Sequence, residues 1–251
     1  MIDAQSIPTA SPPIGLLHGA SLFLDFDGTL VNLAETPDAV RVDARLASLM
    51  HRLLDRLGKR IAVISGRPAA QVRALFDADL AVVGSHGLEF VARDGSARPL
   101  DRPPALTAVA AAMSELAGRH SGVLVEDKPL GVALHFRLCP AAEADCTSLA
   151  SSLADSHGLH LQPGKMMIEV RATGGDKGTA IHTLMREPDM AGTRPVFMGD
   201  DLTDEPGFAA AAELGGAGIL VGPRRASAAR YWLDGVEATL AWLEAASAKA
   251  A

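Results

Sequence analysis

The chain has 251 residues, of which 48% are apolar and 21% charged, a composition typical of a water-soluble globular protein with one large domain or two smaller ones. Its net charge of −7 disfavours nucleic acid or an anionic membrane surface as a partner, so an anionic substrate would need local cations or a metal ion. No apolar run approaches the roughly 20 residues of a membrane span, and Cys139 and Cys146 form neither a disulfide framework nor a zinc-binding spacing. We expect a cytoplasmic, monomeric protein.

The first strong signal follows a segment without structural pattern. The amino terminus carries Asp3, no basic cluster and several prolines, so it resembles neither a signal peptide nor a transit peptide. We predict a flexible leader over residues 1–20. The apolar run 22–24 then leads into Asp25-Phe26-Asp27-Gly28-Thr29-Leu30. A buried strand that ends in carboxylates brings them to the edge where open α/β sheets bind ligands.

The spacing of this acid pair suits phosphoryl transfer. Asp25 can attack phosphorus and become an aspartyl-phosphate, which divides one difficult hydrolysis into two easier displacements. Asp27 has left the strand, so it can protonate the leaving alcohol and later take a proton from water. Gly28 allows the backbone to turn sharply. The alternative is a polar turn after a strand, since Asp and Gly are common turn residues.

Two more βα units follow the acid pair. Residues 35–38 are predicted to be irregular, and Asp43 is predicted to cap a helix that ends at Gly58. The strand over residues 60–64 leads into Ser65-Gly66-Arg67-Pro68, where the Ser65 hydroxyl and the backbone N–H of Gly66 can bind phosphate. The alternative for Ser65 is a helix cap. A third strand, 80–84, precedes Ser85-His86-Gly87-Leu88-Glu89; we interpret His86 as a loop residue and leave Glu89 between substrate contact and loop.

The pattern changes near residue 101 and indicates an inserted domain. Its strands alternate apolar and polar residues, which predicts an antiparallel sheet with helices on one side. In the strand over residues 132–138, alternation sets Val132, Leu134, Phe136 and Leu138 opposite His135 and Arg137. The other predicted elements are helices over 104–118 and 141–157 and strands over 123–125 and 166–171.

Three residues are predicted to share the polar face of this second sheet. Glu126 and Lys128 are two apart in an extended segment, and Glu169 alternates with apolar neighbours. Two acids and a lysine suit hydrogen bonds to the hydroxyls of a neutral, polyhydroxylated group. The alternative is an ordinary solvated sheet face.

The chain then returns to the first pattern. Lys177 begins a helix behind Gly174-Gly175 and could neutralise a phosphoryl group and Asp25. The strand over 195–198 leads into an acidic loop that would repel itself without a cation, which indicates Mg²⁺; the alternative is an acidic helix N-terminus. The loop contains Asp200, Asp201, Asp204 and Glu205. A strand over 218–222 and a helix over 236–246 close the chain.

Four motifs follow one another along the chain: the acid pair, Ser65-Gly66, Lys177 and the acidic loop. In the order of these motifs the sequence resembles the haloacid dehalogenase superfamily of Mg²⁺-dependent aspartyl-phosphate phosphatases. The resemblance implies an α/β fold: a Rossmannoid core with a parallel sheet, residues 21–99 and 175–251, and an inserted smaller α/β cap domain with an antiparallel sheet, residues 100–174. It also implies roles: Asp25 as nucleophile and metal ligand, Asp27 as general acid/base with its backbone carbonyl on Mg²⁺, Ser65 and Gly66 as phosphate-binding, Lys177 as charge-neutralising, Asp200 as metal ligand, and Asp201 and Asp204 as support for the metal site.

Five strings of residues narrow this resemblance to the trehalose-6-phosphate phosphatase family. They are Ser65-Gly66-Arg67-Pro68, Gly84-Ser85-His86-Gly87-Leu88-Glu89, Glu126-Asp127-Lys128, residues 164–171 and residues 199–205. The resemblance implies hydrolysis of trehalose 6-phosphate, with Glu126, Lys128 and Glu169 on the glucose without phosphate and Arg67 among the substrate-binding residues. Pro206-Gly207 departs from the family pattern.

Other functions remain open from the sequence. Another capped sugar phosphatase would act on sucrose phosphate or mannosylglycerate phosphate. A non-catalytic sugar-phosphate sensor or a receiver-like phospho-acceptor is disfavoured by Asp27, because neither needs a general acid.

Overall fold

The computed structural model describes residues 6–33, 39–76, 78–98 and 101–249. The chain divides into two compact units. We call Met1–Arg98 with Asp176–Ala251 the core unit, and Pro99–Gly175 the cap unit. The predicted irregular segment 35–38 lies outside the described residues. Among the described helices, none is both long enough and apolar enough to cross a membrane.

Among the described residues, strands and helices mostly alternate along the core unit, whereas in the cap unit a helix is followed by two strands, twice over. The strands are β1 (Ala20–Leu24), β2 (Ile61–Ile64), β3 (Ala81–Gly84), β4 (Glu89–Val91), β5 (Leu124–Lys128), β6 (Gly131–His135), β7 (His160–Gly164), β8 (Met167–Arg171), β9 (Arg194–Gly199), β10 (Ala217–Val221) and β11 (Tyr231–Leu233). The helices are α1 (Ala44–Leu57), α2 (Ala69–Leu75), α3 (Ala105–Ala117), α4 (Glu143–His157), α5 (Lys177–Leu184), α6 (Glu205–Glu213) and α7 (Val236–Lys249).

The core sheet has the order β11-β10-β9-β1-β2-β3-β4 among the described strands. Every pair in it is parallel except β3 with β4. All residues of β1, β2 and β10 are buried, as expected for strands covered on both faces. Because β1, β2 and β9 are parallel neighbours, their carboxyl ends meet at one edge of the sheet.

Helices cover both faces of this sheet. On one face, α1 and α7 pack through Leu46, Leu49, Leu53, Leu240 and Leu243. On the other, α5 and α6 contribute Ala180, Ile181 and Phe208. The predicted N-cap of α1 is confirmed, since Asp43 accepts the N–H of Leu46 at 2.8 Å.

The prediction of a flexible leader is wrong for the described residues before β1. Leu17 is 1% exposed in a short 3₁₀ helix, Ile14–Leu17. The indole of Trp242 donates to the Pro12 carbonyl at 2.9 Å, and the backbone N–H of Trp232 donates to Ala10 at 3.0 Å. Proline-rich sequence favours extended chain, and here that chain is held by two distant tryptophans that local pattern does not reveal.

The cap unit contains an antiparallel sheet of order β5-β6-β8-β7. Its apolar face packs on α3 and α4 through residues such as Val109, Met113 and Ala150. The α/β fold class, with a mainly parallel sheet and a separate antiparallel sheet, is therefore confirmed.

One predicted strand of the cap is too long. The strand expected over residues 132–138 ends at His135, because Phe136 donates to the Met166 carbonyl and the chain then turns, with Cys139 bonding back to Phe136. Phe136 is still buried, but Leu138 is 57% exposed. The predicted placement of Leu138 on the apolar face is wrong.

Candidate active site

The carboxyl end of β1 places Asp25 against a lysine from a distant helix. Asp25 continues the sheet pairing through its backbone N–H, which donates to the Met198 carbonyl of β9 at 2.9 Å. Its Oδ1 accepts from Lys177 Nζ at 2.6 Å, and both side chains are buried. Lys177 is the first residue of α5, whose N-cap Asp176 forms a capping box with Thr179. This capping box fixes where α5 begins and therefore where Lys177 lies.

Lys177 also joins Asp25 to the acidic loop after β9. Its Nζ donates to Asp204 Oδ1 at 2.5 Å, and Asp204 is fully buried. The other oxygen, Asp204 Oδ2, accepts the backbone N–H groups of Asp200 and Asp201, each at 2.8 Å. Asp204 therefore contacts both Lys177 and the backbone of the acidic loop.

Burial and charge act on this cluster in opposite directions. Burial raises the pKa of Asp25 well above its ordinary value, and the carboxylates of Asp204 and Asp200 raise it further, while Lys177 opposes them. Burial alone would lower the pKa of Lys177, but Asp204 and Asp25 hold it above the ordinary value. The lysine is therefore charged, and its positive charge is shared by the carboxylates of Asp25 and Asp204.

The same carboxylates form a set that could hold a metal ion. Asp25, Asp200 and Asp204 each offer an oxygen within 4.8 Å of the others. Asp25 Oδ2 is buried and has no hydrogen-bond partner among the described residues, which leaves it available to a ligand. Gly28 has φ +87°, and a Cβ there would lie 2.3 Å from Asp200 Oδ2. Glycine at this position thus lets the β1 loop approach Asp200 closely, and hard oxygen donors fit Mg²⁺.

Asp27 lies in different surroundings from Asp25. Its two oxygens accept from Arg67, Oδ2 from Nε at 2.6 Å and Oδ1 from Nη2 at 2.8 Å. The Arg67 guanidinium also lies 5.7 Å from the centre of the Phe26 ring. A bidentate arginine fixes the orientation of a carboxylate better than a single donor does. Arg67 was predicted to bind substrate, and the structure directs its guanidinium onto Asp27.

The carboxyl end of β2 supplies the predicted phosphate-binding loop. Ser65 is buried, and its Oγ accepts the backbone N–H of Arg67 at 3.1 Å. The imidazole of His86 lies against Gly66, since a Cβ on Gly66 would be 2.5 Å from His86 Cε1. Only glycine therefore fits at this position while the imidazole keeps its place.

Glu89 holds the neighbouring turn in an uncommon conformation. Ser85 and His86 both have positive φ, 47° and 56°. Glu89 Oε1 accepts from Ser85 Oγ at 2.5 Å, and its Oε2 accepts the backbone N–H of Ala69 at the start of α2 at 2.8 Å. Of the two interpretations left open for Glu89, these contacts describe a buried residue that anchors the loop. His86 lies in this turn, as the loop interpretation expects.

The polar face of the cap sheet brings together the three residues predicted to bind a sugar. In the sheet register, Glu126 pairs with Ala133, which pairs with Glu169. Lys128 Nζ donates to Glu169 Oε2 at 2.7 Å and lies 3.9 Å from Glu126 Oε2. Alternation placed His135 on the polar side of its strand but gave it no role; it is a fourth member of this group, since its Nε2 lies 2.9 Å from Glu126 Oε2.

Charge and space on this face are set by its neighbours. Burial opposes ionisation of Glu126, but the hydrogen bond with His135 and the charge of Lys128 outweigh it, so the pKa of Glu126 lies below its ordinary value. Gly131 leaves room for Glu169: a Cβ there would lie 2.3 Å from Glu169 Oε1. The face therefore presents an ordered array of charged donors and acceptors.

Comparison with known proteins identifies the family. The family model described as trehalose-phosphatase matches residues 23–237. The chain belongs to the trehalose-phosphatase family. Among curated proteins, a probable trehalose-phosphate phosphatase of Sinorhizobium fredii is 36% identical over 210 residues, 82% of this chain and 79% of that protein. A trehalose-6-phosphate phosphatase of Escherichia coli is 33% identical over 225 residues, 88% of this chain and 84% of that protein.

Solved structures show the same fold at lower identity. The C-terminal domain of Candida albicans trehalose-6-phosphate phosphatase superposes with a TM-score of 0.82 at 20% identity, covering 97% of this chain and 99% of that one. A phosphatase of the haloalkanoate (HAD) enzyme superfamily from Bacteroides thetaiotaomicron superposes with a TM-score of 0.60 at 20% identity, covering 92% and 95%. The predicted HAD fold and the predicted family are therefore confirmed.

The sequence departs from the family pattern at Pro206-Gly207, directly after the acidic loop. Pro206 lies in the first turn of α6, where its missing N–H costs no helical hydrogen bond. Gly207 packs against the Phe197 ring, which a Cβ would approach to 2.4 Å. The departure thus fits the local packing and leaves Asp200 and Asp204 in the cluster. The alternative substrates, sucrose phosphate and mannosylglycerate phosphate, are not favoured by the trehalose-phosphatase match.

Proposed function

We propose that this chain hydrolyses trehalose 6-phosphate to trehalose and phosphate through a phosphorylated Asp25, with Mg²⁺ as cofactor. The observation that carries this is Asp25 itself. It is buried beside Lys177, and its Oδ2 has no hydrogen-bond partner in the part of the chain that the structure describes. The chain belongs to the trehalose-phosphatase family, whose members are phosphoric monoester hydrolases. A carboxylate oxygen that has no such partner and lies beside a fixed cation can act as a nucleophile toward an anionic substrate.

The reaction divides between the two aspartates. Asp25 Oδ2 attacks phosphorus, the bond from phosphorus to the sugar oxygen breaks, and Asp27 donates a proton to that oxygen. Water then attacks phosphorus, Asp27 takes the proton of the water, and the bond from phosphorus to Asp25 breaks. Arg67 keeps the Asp27 carboxylate oriented between these steps through its two hydrogen bonds.

The remaining core residues bind the charge that the substrate brings. Ser65 and the backbone N–H of Gly66 suit the phosphoryl oxygens, and Lys177 offsets the charge that Asp25 and phosphate would otherwise share. Asp25, Asp200 and the Asp27 carbonyl would hold Mg²⁺, while Asp204 and Asp201 support them. When bound, Mg²⁺ supplies positive charge between nucleophile and phosphate and aligns them.

The polar face of the cap sheet supplies the means to recognise a sugar. Glu126, Lys128 and Glu169 are charged and fixed by one another, and such groups bind sugar hydroxyls as donors and acceptors. We assign them to the glucose that carries no phosphate. Specificity for trehalose 6-phosphate then depends on these residues, and phosphate chemistry depends on the core.

Phosphate release from the purified protein tests the proposal. Trehalose 6-phosphate, glucose 6-phosphate, sucrose 6-phosphate and an aryl phosphate are offered with Mg²⁺ and with EDTA, and Asp25→Asn serves as the variant that lacks the nucleophile. We expect fast release from trehalose 6-phosphate alone, abolished by EDTA and by D25N. Fast metal-dependent release from a different sugar phosphate would contradict the assignment of the cap face. Binding without turnover of any substrate would favour a sensor.

The setting of the enzyme belongs to the same proposal. We place it in the reducing cytoplasm, where the free thiols Cys139 and Cys146 would persist, and expect a monomer. Equilibrium sedimentation checks the second expectation.

A further inference from the structure

A second basic residue, besides Lys177, contacts the acidic loop. Arg225 follows β10, and its Nη2 donates to the Asp201 carbonyl at 2.6 Å. Its Nη1 forms an ion pair with Glu205. The other Glu205 oxygen, Oε2, accepts the backbone N–H of Ala228 at 2.8 Å. One guanidinium therefore ties the loop after β10 to both the middle and the end of the acidic loop.

The contact with Asp201 leads directly to the candidate metal ligands. The Asp201 carbonyl also accepts the backbone N–H of Asp204 at 3.1 Å. Asp204 in turn accepts the N–H groups of Asp200 and Asp201. Arg225 thus holds the Asp201 carbonyl, which is itself bonded to the backbone N–H of Asp204.

Charge and geometry make opposite predictions for this arginine. A positive charge near a cation site weakens cation binding by repulsion. Arg225 is paired with Glu205, however, and the two side chains are only 24% and 17% exposed, so the pair presents little net charge to its surroundings. Its geometric effect, a fixed Asp201 carbonyl, remains. Partners that orient ligands from outside the coordination sphere typically contribute about 10- to 100-fold in metal affinity.

We propose that Arg225 is a positioning residue for the metal site: it holds the acidic loop in its ligating conformation before Mg²⁺ binds. The inference rests on the proposed Mg²⁺ site and adds to it a residue that contacts no substrate. Its action is through Asp201 and Glu205, so its loss should weaken Mg²⁺ binding while leaving sugar recognition unchanged.

Calorimetric titration of the substrate-free protein with Mg²⁺ tests this inference. The variants are Arg225→Met, which removes charge and bonds; Arg225→Lys, which keeps charge but cannot bridge both partners; and Arg224→Met as matched control. Arg224 is adjacent in sequence but lies over the Trp232 ring at 3.9 Å. Hydrogen exchange of the Asp200 and Asp201 amides, which Asp204 protects, reports the loop itself without metal.

We expect R225M to raise the Kd for Mg²⁺ about 10-fold, R225K to raise it less, and R224M to leave it within about twofold of wild type. The Asp200 and Asp201 amides should exchange faster in R225M only. At saturating Mg²⁺ the KM for trehalose 6-phosphate should match wild type. Glu205→Gln provides a second route to the same loss if R225M does not fold.

The outcomes separate the two proposals. A wild type that binds Mg²⁺ and an R225M variant of equal or higher affinity would overturn the role of Arg225 alone, the higher affinity because charge would then dominate geometry. Equal weakening by R224M would show a general effect of the loop and overturn it as well. A wild type that takes up no Mg²⁺ would overturn the metal site and this inference together.

Discussion

Asp25 and Asp27 are two residues apart, yet their surroundings differ in the way that two chemical tasks require. Asp25 is 4% exposed and faces a buried lysine, whereas the Asp27 side chain is 27% exposed and meets an arginine with both oxygens. Burial limits the access of bulk water to a nucleophile, whereas a residue that exchanges protons must be reachable by water and by the leaving group. The structure gives each aspartate the exposure that its proposed task needs.

Replacing Asp27 should therefore separate the two displacements. Asp27→Asn cannot protonate a leaving group or accept a proton from water, but an aryl alcohol leaves readily without protonation. We expect a burst of about one aryl alcohol per enzyme, followed by very slow turnover, because the phosphorylated Asp25 accumulates. Rapid-quench measurement of aryl alcohol checks this. Asp25→Asn should show no burst, and steady release without a burst in D27N would assign water activation to another group.

His135 and Lys128 together lower the pKa of Glu126. Because the folded pKa of Glu126 is depressed, its ionised form stabilises the fold above the unfolded pKa, and this stabilisation is lost as pH falls through the folded pKa. His135→Ala should raise the pKa of Glu126 and shrink that loss. Carbon-13 NMR of the Glu126 carboxyl measures it.

The matched control for this titration is His120→Ala. His120 also pairs with a cap carboxylate, lying 3.2 Å from Asp145, but it follows α3 and lies outside the strands of the cap sheet. Its loss should leave the Glu126 titration unchanged. An unchanged Glu126 pKa in H135A would mean that Lys128 alone accounts for the shift.

Residues of the core site could be predicted because each lies at the end of a strand or the start of a helix, and parallel strand ends meet at one edge. Asp25, Ser65 and Asp200 all follow this rule. Arg225 and His135 could not be predicted in the same way. Alternation places His135 on the polar side of β6, but its contact with Glu126 depends on which strands pair. The contacts of Arg225 depend on a long side chain that crosses to another loop, which leaves no local pattern.

At the scale of elements, the cap sheet depends on one small residue in β6. Gly131→Ala would place a methyl group 2.3 Å from Glu169 Oε1 and 3.0 Å from Arg171 Cβ, so the Glu169 carboxylate must move away from Lys128. We expect the KM for trehalose 6-phosphate to rise about tenfold, since loss of one charge-assisted hydrogen bond costs roughly 1.5 kcal/mol. Steady-state kinetics on trehalose 6-phosphate and on the aryl phosphate measures this change in KM.

Hydrolysis of the aryl phosphate should be unaffected by G131A, because that substrate contains no sugar. Gly15→Ala serves as control, since nothing lies within 4 Å of a Cβ at Gly15. Equal losses on both substrates would show that G131A acts on the fold and would remove support for a sugar-binding role of this face.

Element positions were predictable where one signal dominated. The acidic loop, the apolar strands of the core and the amphipathic α1 all follow from pattern and capping residues. The segment before β1 and the end of β6 were not, because both depend on a partner elsewhere in the chain: Trp242 for the first and Met166 for the second.

For the molecule as a whole, the proposed metal site would link cation binding to stability. Three carboxylates with one lysine oppose folding through repulsion, and a bound cation would relieve it. We expect Mg²⁺ to raise the melting temperature, with a stabilisation of about 2.7 kcal/mol at 100-fold excess over Kd. Differential scanning calorimetry in Mg²⁺ and in EDTA, at matched ionic strength, measures it. Asp200→Asn should lose most of the rise, and an undiminished rise in D200N would place the cation elsewhere.

The position of β1 between β2 and β9 also bears on how the chain is made. β1 pairs with β9, and the Ser21 and Thr193 side chains that bond near this pairing are 172 residues apart in sequence. The cap unit, in contrast, is one continuous segment whose strands pair with near neighbours. A ribosome therefore releases a complete cap before β1 can acquire its second neighbour, and contacts of such long range are slow to form. During synthesis the nascent protein would have a complete cap unit while its apolar core sheet is still unfinished, and in that interval the exposed core strands are most prone to aggregate.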